Sequence, residues 1–150
     1  MTSTLPSPGT YLRIRREAQR LSIDDVAALV RTEPSLPLAS RADLLRSIEA
    51  DIAPIGDDVI GSLMRAAEEQ GSFRFDPEVL VRLIDIAAGD TTRAWPRLCR
   101  RCACSEHDAC NCGGQGGQWI GCHWVEPDLC SACTPSQAAA AALQPETRAA

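Results

Sequence analysis

Lysine is absent from this 150-residue chain: all 15 basic residues are arginine. That bias follows equally from nucleotide composition or from selection for bidentate contacts, so it excludes nothing. Aromatic residues are scarce at 4%, which predicts a core built from Leu, Ile, Val and Ala. No run approaches the roughly 18 apolar residues of a membrane-spanning helix. The opening MTSTLPSPGTYLRIRREAQ has no apolar stretch of the kind a secretory signal needs. A cytoplasmic protein is the expectation. Positive charge is also in deficit, with a net charge of −5. Nucleic-acid binders usually carry a basic surface that releases counterions from phosphates. DNA binding would therefore have to rest on a local patch, and the clear one is Arg13, Arg15, Arg16 and Arg20, opposed by Glu17. Cysteine is missing from the first 98 residues, and all eight lie between 99 and 133. In a reducing compartment such clustering points to metal rather than disulfides.

The chain divides by composition. Residues 1–9 are rich in Pro, Ser and Thr and read as disordered, as does the Ala-rich tail 134–150, which has nothing large and apolar to bury. Residues 10–89 read as a helical domain. Tyr11, Leu12, Ile14, Ala18 and Leu21 mark a first amphipathic helix. Ser22 with Asp25 three residues on caps a second, Ile23 to about Arg31. Pro34 and Pro37 force a loop. Ser40 with Asp43 is expected to cap a third, Arg41 to about Ala50, burying Leu44, Leu45 and Ile48. Asp57 or Asp58 opens a fourth, with Val59, Ile60, Leu63, Met64 and Ala67 on one side and Gly71 closing it. Asp76 and Pro77 start a fifth, with Gly89 at its C-terminal end. This predicts five short helices and no strand. Residues 90–98 read as a linker whose Trp95 and Pro96 either pin the two parts together or lie on the surface.

The segment 99–133 reads CRRCACSEHDACNCGGQGGQWIGCHWVEPDLCSAC. Its ends are two Cys-x-x-Cys pairs, Cys99/Cys102 and Cys130/Cys133. A two-residue gap lets one turn aim both sulfurs at one ion, and two such knuckles complete a tetrahedral site in the manner of a zinc ribbon. Cys104, Cys110, Cys112 and Cys122 lie between them. Eight thiols suit two four-coordinate Zn2+ ions, which predicts one site of Cys99, Cys102, Cys130 and Cys133 and another of Cys104, Cys110, Cys112 and Cys122. Cys112 is the weakest member, and His107 and His123 stand as alternative ligands, surface residues or donors to a ligand. The loop with Gly113, Gly114, Gly116 and Gly117 has no core of its own, so metal must supply its folding energy.

Competing readings have specific weaknesses. Disulfides lack a signal sequence, and an iron–sulfur cluster leaves four thiols over. Catalytic zinc needs an open position and a general base, and Glu106 or Glu126 alone makes no mechanism. Glu106, Asp108, Glu126 and Asp128 outnumber Arg100 and Arg101, and each Zn(Cys)4 site adds a formal charge of about −2. Such a module is a poor phosphate clamp and suits structural support or protein contact. Trp119 and Trp124 would then be its apolar handles or its miniature core.

Cys99, Cys102, Cys104, Ala109-Cys110 and the run GCHWVEPDLCSAC from Gly121 to Cys133 resemble a motif found near the ends of many phage- and prophage-encoded bacterial proteins, roughly CRxCxC, Ala-Cys and GCxWVExDLCSxC. Cys112 and the glycine loop are additions to it. The resemblance implies a phage or prophage origin without supplying an activity. The stretch LRIRREAQRLSIDDVAALV, with RSIEADIAP further on, is similar to Cro/repressor-like helix-turn-helix domains. That likeness implies a positioning helix at 23–31 and a recognition helix at 41–50. Ser40, Arg41, Arg46 and Ser47 would then meet the major groove, and Arg13, Arg16 and Arg20 the phosphates. The chain departs from the pattern in TEPSLPLA, which replaces the family's tight turn.

The expectation is thus a mainly α protein: a small helix-turn-helix-like bundle followed by an irregular, zinc-ribbon-like module holding two Zn2+. A DNA-binding transcription regulator comes first, with duplex DNA as partner and protein contact through the zinc module. The alternative is a protein–protein adaptor, docking for instance on the transcription machinery. No nucleophile–base pair, phosphate loop or open metal site argues for an enzyme, and neither a membrane nor a small-molecule substrate is expected.

Overall fold

A computed structural model describes residues 4–113 and 115–135. Five helices come first: α1 (Pro8–Ala18), α2 (Ile23–Leu29), α3 (Leu38–Glu49), α4 (Asp57–Gln70) and α5 (Pro77–Ala87). A short antiparallel pair follows, β1 (Trp124–Glu126) and β2 (Leu129–Cys130), with Trp124 opposite Cys130. The mainly helical expectation holds. Residues 10–89 hold no strand among the described elements, as expected there; the two strands lie in the cysteine-rich segment and serve to aim cysteines rather than to build a core. Among the described residues no helix is long and apolar enough to cross a membrane.

Local chemistry sets most helix starts. Ser22 accepts a hydrogen bond from the Asp25 amide while the Ser22 amide donates to the Asp25 carboxylate, the reciprocal cap its spacing predicts. Those contacts hold the exposed Asp25 carboxyl below the usual carboxylate range. Asp76 accepts from the amides of Glu78 and Val79, with Pro77 in the first turn. Gly71, in the left-handed region at φ 58°, ends α4.

Two starts differ from expectation. Helix α3 begins at Leu38, directly after Pro37, with no side-chain cap, so Ser40 lies inside its first turn. The fixed φ of Pro37 starts the helix earlier than a serine cap would. Helix α1 starts at Pro8, inside the stretch expected to be disordered, and Ser7 accepts from the Thr10 amide as its cap. Its Gly9 is needed for close approach: a Cβ there would sit 2.0 Å from the Ile48 carbonyl oxygen. The Gly9 amide and Ser7 hydroxyl both donate to Asp51.

The core is not purely aliphatic, another correction. Tyr11, Phe73 and Phe75 are buried with Ile48, Leu63, Leu80 and Leu83, and the two phenylalanine rings stack at 5.6 Å. Scarcity of aromatics in the whole chain says nothing about where the few are placed. The tyrosine hydroxyl accepts the Asp76 amide at 2.9 Å, which satisfies both buried groups. The connection from α2 to α3 is held against α4: the Ser62 hydroxyl accepts the Arg31 amide, and Asp58 accepts the Glu33 amide.

The cysteine-rich part packs directly onto this bundle. Leu98 and Ala103 belong to the same apolar core. Residues 90–98 are clamped to α5 by Arg82, which bonds the carbonyls of Arg93 and Ala94 and pairs with Asp90. Trp95 is 62% exposed and pins nothing.

Candidate metal centre

The knuckle at Cys99–Cys102 is a tight turn closed by the Ala103 amide on the Cys99 carbonyl, 2.8 Å. Ala103 then takes φ 55°, and the Cys99 amide bonds the Cys104 carbonyl. This reversal turns Cys104 back into the space the knuckle encloses. The second knuckle follows β2: Cys130 ends the strand, and a single 3-10 turn over Ser131–Cys133 brings Cys133 round. Between them, residues 110–112 and 120–122 run antiparallel, tied by Cys112 N–H to the Ile120 carbonyl and Cys122 N–H to the Cys110 carbonyl. The Cys110 amide also points at the Cys122 sulfur, 3.2 Å away.

All eight cysteines are free thiols. Cys99, Cys102, Cys104 and Cys130 are buried with their sulfurs mutually within 4.8 Å, and Cys104, Cys110, Cys122 and Cys130 form a second such group. The nearest pairs are Cys102–Cys110 at 3.4 Å, Cys102–Cys130 at 3.7 Å and Cys104–Cys122 at 3.8 Å. Tetrahedral zinc with bonds of 2.3 Å places its sulfurs about 3.8 Å apart, so this spacing is that of metal ligands.

These two groups overlap, whereas the two tetrads expected from the sequence share no cysteine. Cys104 joins the first knuckle because of the turn at Ala103, and Cys130 belongs to both groups. Cys133 packs against this cluster, its thiol in contact with those of Cys99, Cys102 and Cys130, while lying in neither group. Cys112 is exposed, also in neither group, with its sulfur 4.0 Å from the Ser131 hydroxyl. His107 and His123 are exposed and also outside both.

Crowding distorts the acidity of these thiols. Cys102 is pushed up by its contacts with Cys104 and Cys110 and by burial. Burial raises Cys133 to about 12. At Cys99 burial is outweighed by amide hydrogen bonds in the knuckles, and its pKa falls to about 7. Cys110 is held low by the thiols of Cys102 and Cys104, with help from Arg15.

The basic group near the thiols comes from α1, which the sequence did not reveal. The Arg15 guanidinium is 3% exposed, bonds the Cys102 carbonyl at 2.8 Å and lies 2.8 Å from the Asp108 carboxylate. Arg74 reaches the other Asp108 oxygen and the Ala109 carbonyl. Ser105 bonds both Asp76 and the Asp108 amide. Burial raises the Asp108 pKa, with Arg15 and Arg74 opposing it. Arg100, inside the first knuckle, pairs with Glu126 and Asp128. Trp119 lies under Arg74 and Trp124 under Arg97, with centroid distances of 5.7 and 4.2 Å.

The residues expected to meet DNA are dispersed in role. Arg16 forms a fork on Glu49 and bonds the Leu21 carbonyl. Arg41 bonds the Val30 carbonyl at 2.5 Å. Arg46 pairs with Asp43 on the surface, and Ser47 is half-buried. Arg13, Arg20 and Ser40 are exposed. A cleft of about 710 Å³ opens between α5, residues 93–97 and the 105–107 loop, with Glu78, Arg82, Arg93, Arg97 and His107 at its wall. Comparison with protein-family models, with curated proteins and with solved structures finds no match for this chain.

Proposed function

We propose that this protein is a non-enzymatic, zinc-holding regulatory protein of phage or prophage type, working in a reducing cytoplasm by docking onto a protein partner such as a component of the transcription machinery. Two Zn2+ ions in the thiolate nest are structural and fix the module's shape. The observation that carries the metal reading is the packing of buried sulfurs at ligand spacing in a cluster whose buried members, Leu129 apart, are all cysteines among the described residues. Protein docking is favoured over DNA because Arg16 and Arg41 are engaged inside the bundle and the chain carries a net −5. Thiolate sites add further negative charge, which repels phosphates.

A second reading, binding of duplex DNA through the α2–α3 region, is favoured by the exposure of Arg13, Arg20, Ser40 and Arg46. The Arg46–Asp43 pair is surface-exposed and weak enough for Arg46 to exchange partners. An electrophoretic mobility-shift assay separates the two. Under the docking reading the zinc-loaded chain leaves duplex DNA unshifted even at low salt. A shift that weakens steeply as salt rises, and disappears in the double variant Arg13→Ala, Arg20→Ala, overturns it in favour of DNA. Elemental analysis tests the metal: two zinc per chain, without visible absorption, is the expected result.

A further inference from the structure

We propose that the two metal ions share ligands, with the thiolates of Cys104 and Cys130 bridging them in a single binuclear cluster. This deepens the metal-binding reading above and rests on it. The two sulfur groups, Cys99/Cys102/Cys104/Cys130 and Cys104/Cys110/Cys122/Cys130, hold six different cysteines and have two in common. Two tetrahedral ions need eight metal–sulfur bonds, and six sulfurs supply eight when two of them bind twice.

Burial agrees with this assignment. Cys104 and Cys130 are each 1% exposed, as the centre of a cluster requires, whereas Cys110 and Cys122 are only half-buried and terminate its outer side. The local backbone explains how Cys104 reaches the middle: the left-handed turn at Ala103 returns it toward the first knuckle, while the 110–122 ladder brings Cys122 to 3.8 Å on its other side. Cys130 arrives from β2 and lies 3.7 Å from Cys102.

Charge favours sharing. Two separate Zn(Cys)4 sites would place four net negative charges in the module, whereas two dications with six thiolates leave two. The buried cation beside the nest is Arg15, already opposed by Asp108. Burying charge without compensation is costly, so the arrangement with half the excess charge is the more stable one here. It leaves two cysteines outside both groups: Cys112 on the surface, and Cys133, whose thiol touches those of Cys99, Cys102 and Cys130 without being counted among the eight metal–sulfur bonds.

X-ray absorption at the zinc edge of the full-length zinc-loaded chain, read alongside elemental analysis, is the test. Two ions joined through a sulfur, at 2.3 Å per bond, can be no more than about 4.6 Å apart. The expected result is two zinc per chain, an all-sulfur first shell and a zinc–zinc scattering feature inside that limit. Cys112→Ser and Cys133→Ser should retain both ions and the feature. Two zinc per chain without a zinc–zinc feature, or one ion only, overturns the bridge while leaving metal binding standing. Loss of an ion in Cys112→Ser overturns the assignment of ligands. No zinc at all overturns the underlying metal reading, and the bridge with it.

Discussion

In residues 8–89 the deeply buried large side chains include Tyr11, Ile48, Leu63, Phe73, Leu80 and Leu83, while in residues 99–133 the corresponding positions belong to Cys99, Cys104 and Cys130, with Leu129 beside them. The helical part gains its stability from apolar area removed from water, at about 25 cal/mol per Å². The cysteine part buries small sulfur atoms around an irregular backbone and has two short strands to organise it. Under the proposed reading its cohesion comes from metal–thiolate bonds, which are stronger per atom than dispersion. The two parts are nonetheless one packed body: Leu98 and Ala103 enter the helical core, and Arg15 of α1 reaches the Cys102 carbonyl.

The largest expected effect exploits this difference. Stripping metal with a strong chelator removes an interaction worth on the order of 10 kcal/mol in small zinc modules. Amide hydrogen exchange followed by mass spectrometry should then show residues 99–133 losing protection, while the far-UV helical signal largely remains. Equal loss in both parts would erase the distinction.

Next comes the seam. Arg15→Met leaves Asp108 buried against Arg74 alone, and breaking a buried ion pair from one side costs about 3–5 kcal/mol. Denaturant unfolding of zinc-loaded protein measures it. The pH dependence has a definite sign. Burial raises the folded-state pKa of Asp108, so protonation favours the folded chain, and stability from this group is full below the unfolded value and declines as pH rises through the folded one. Losing Arg15 steepens that decline. The variant should therefore be penalised more at pH 7 than at about pH 4, near the ordinary carboxylate value. A penalty independent of pH would mean that Arg15 acts by packing alone.

The smallest effect belongs to the helical part alone. Ser22→Ala removes the α2 cap and should cost about 0.5–2 kcal/mol without changing the zinc content. Loss of zinc from so distant a site would mean that the two parts are more tightly coupled than their separate chemistries suggest.

Legibility followed the range of the interaction. The capping boxes, proline starts and glycine stops of α2, α4 and α5 act over three or four residues, so short patterns reveal them. Ser7-Pro8 is a helix start of the same kind, hidden by its setting among other Pro and Ser residues. Ser40 offered a plausible cap, but Pro37, whose carbonyl accepts the Arg41 amide that closes the first turn, had already set the backbone. In the cysteine segment the ligand type and the two knuckles were readable, whereas the allocation of sulfurs was not: eight identical donors carry no label saying which share an ion.

Periodicity, caps and Cys-x-x-Cys turns act locally, so the helical character and the gathering of thiols in one segment were already written in the order of residues. Long-range packing, by contrast, set Cys104 and Cys130 at the centre of the nest and left Cys112 outside. The same packing turns Arg15 inward to Asp108 rather than outward to solvent. Those outcomes depend on contacts between residues dozens of positions apart, where the deciding quantities are burial and charge compensation rather than spacing along the chain.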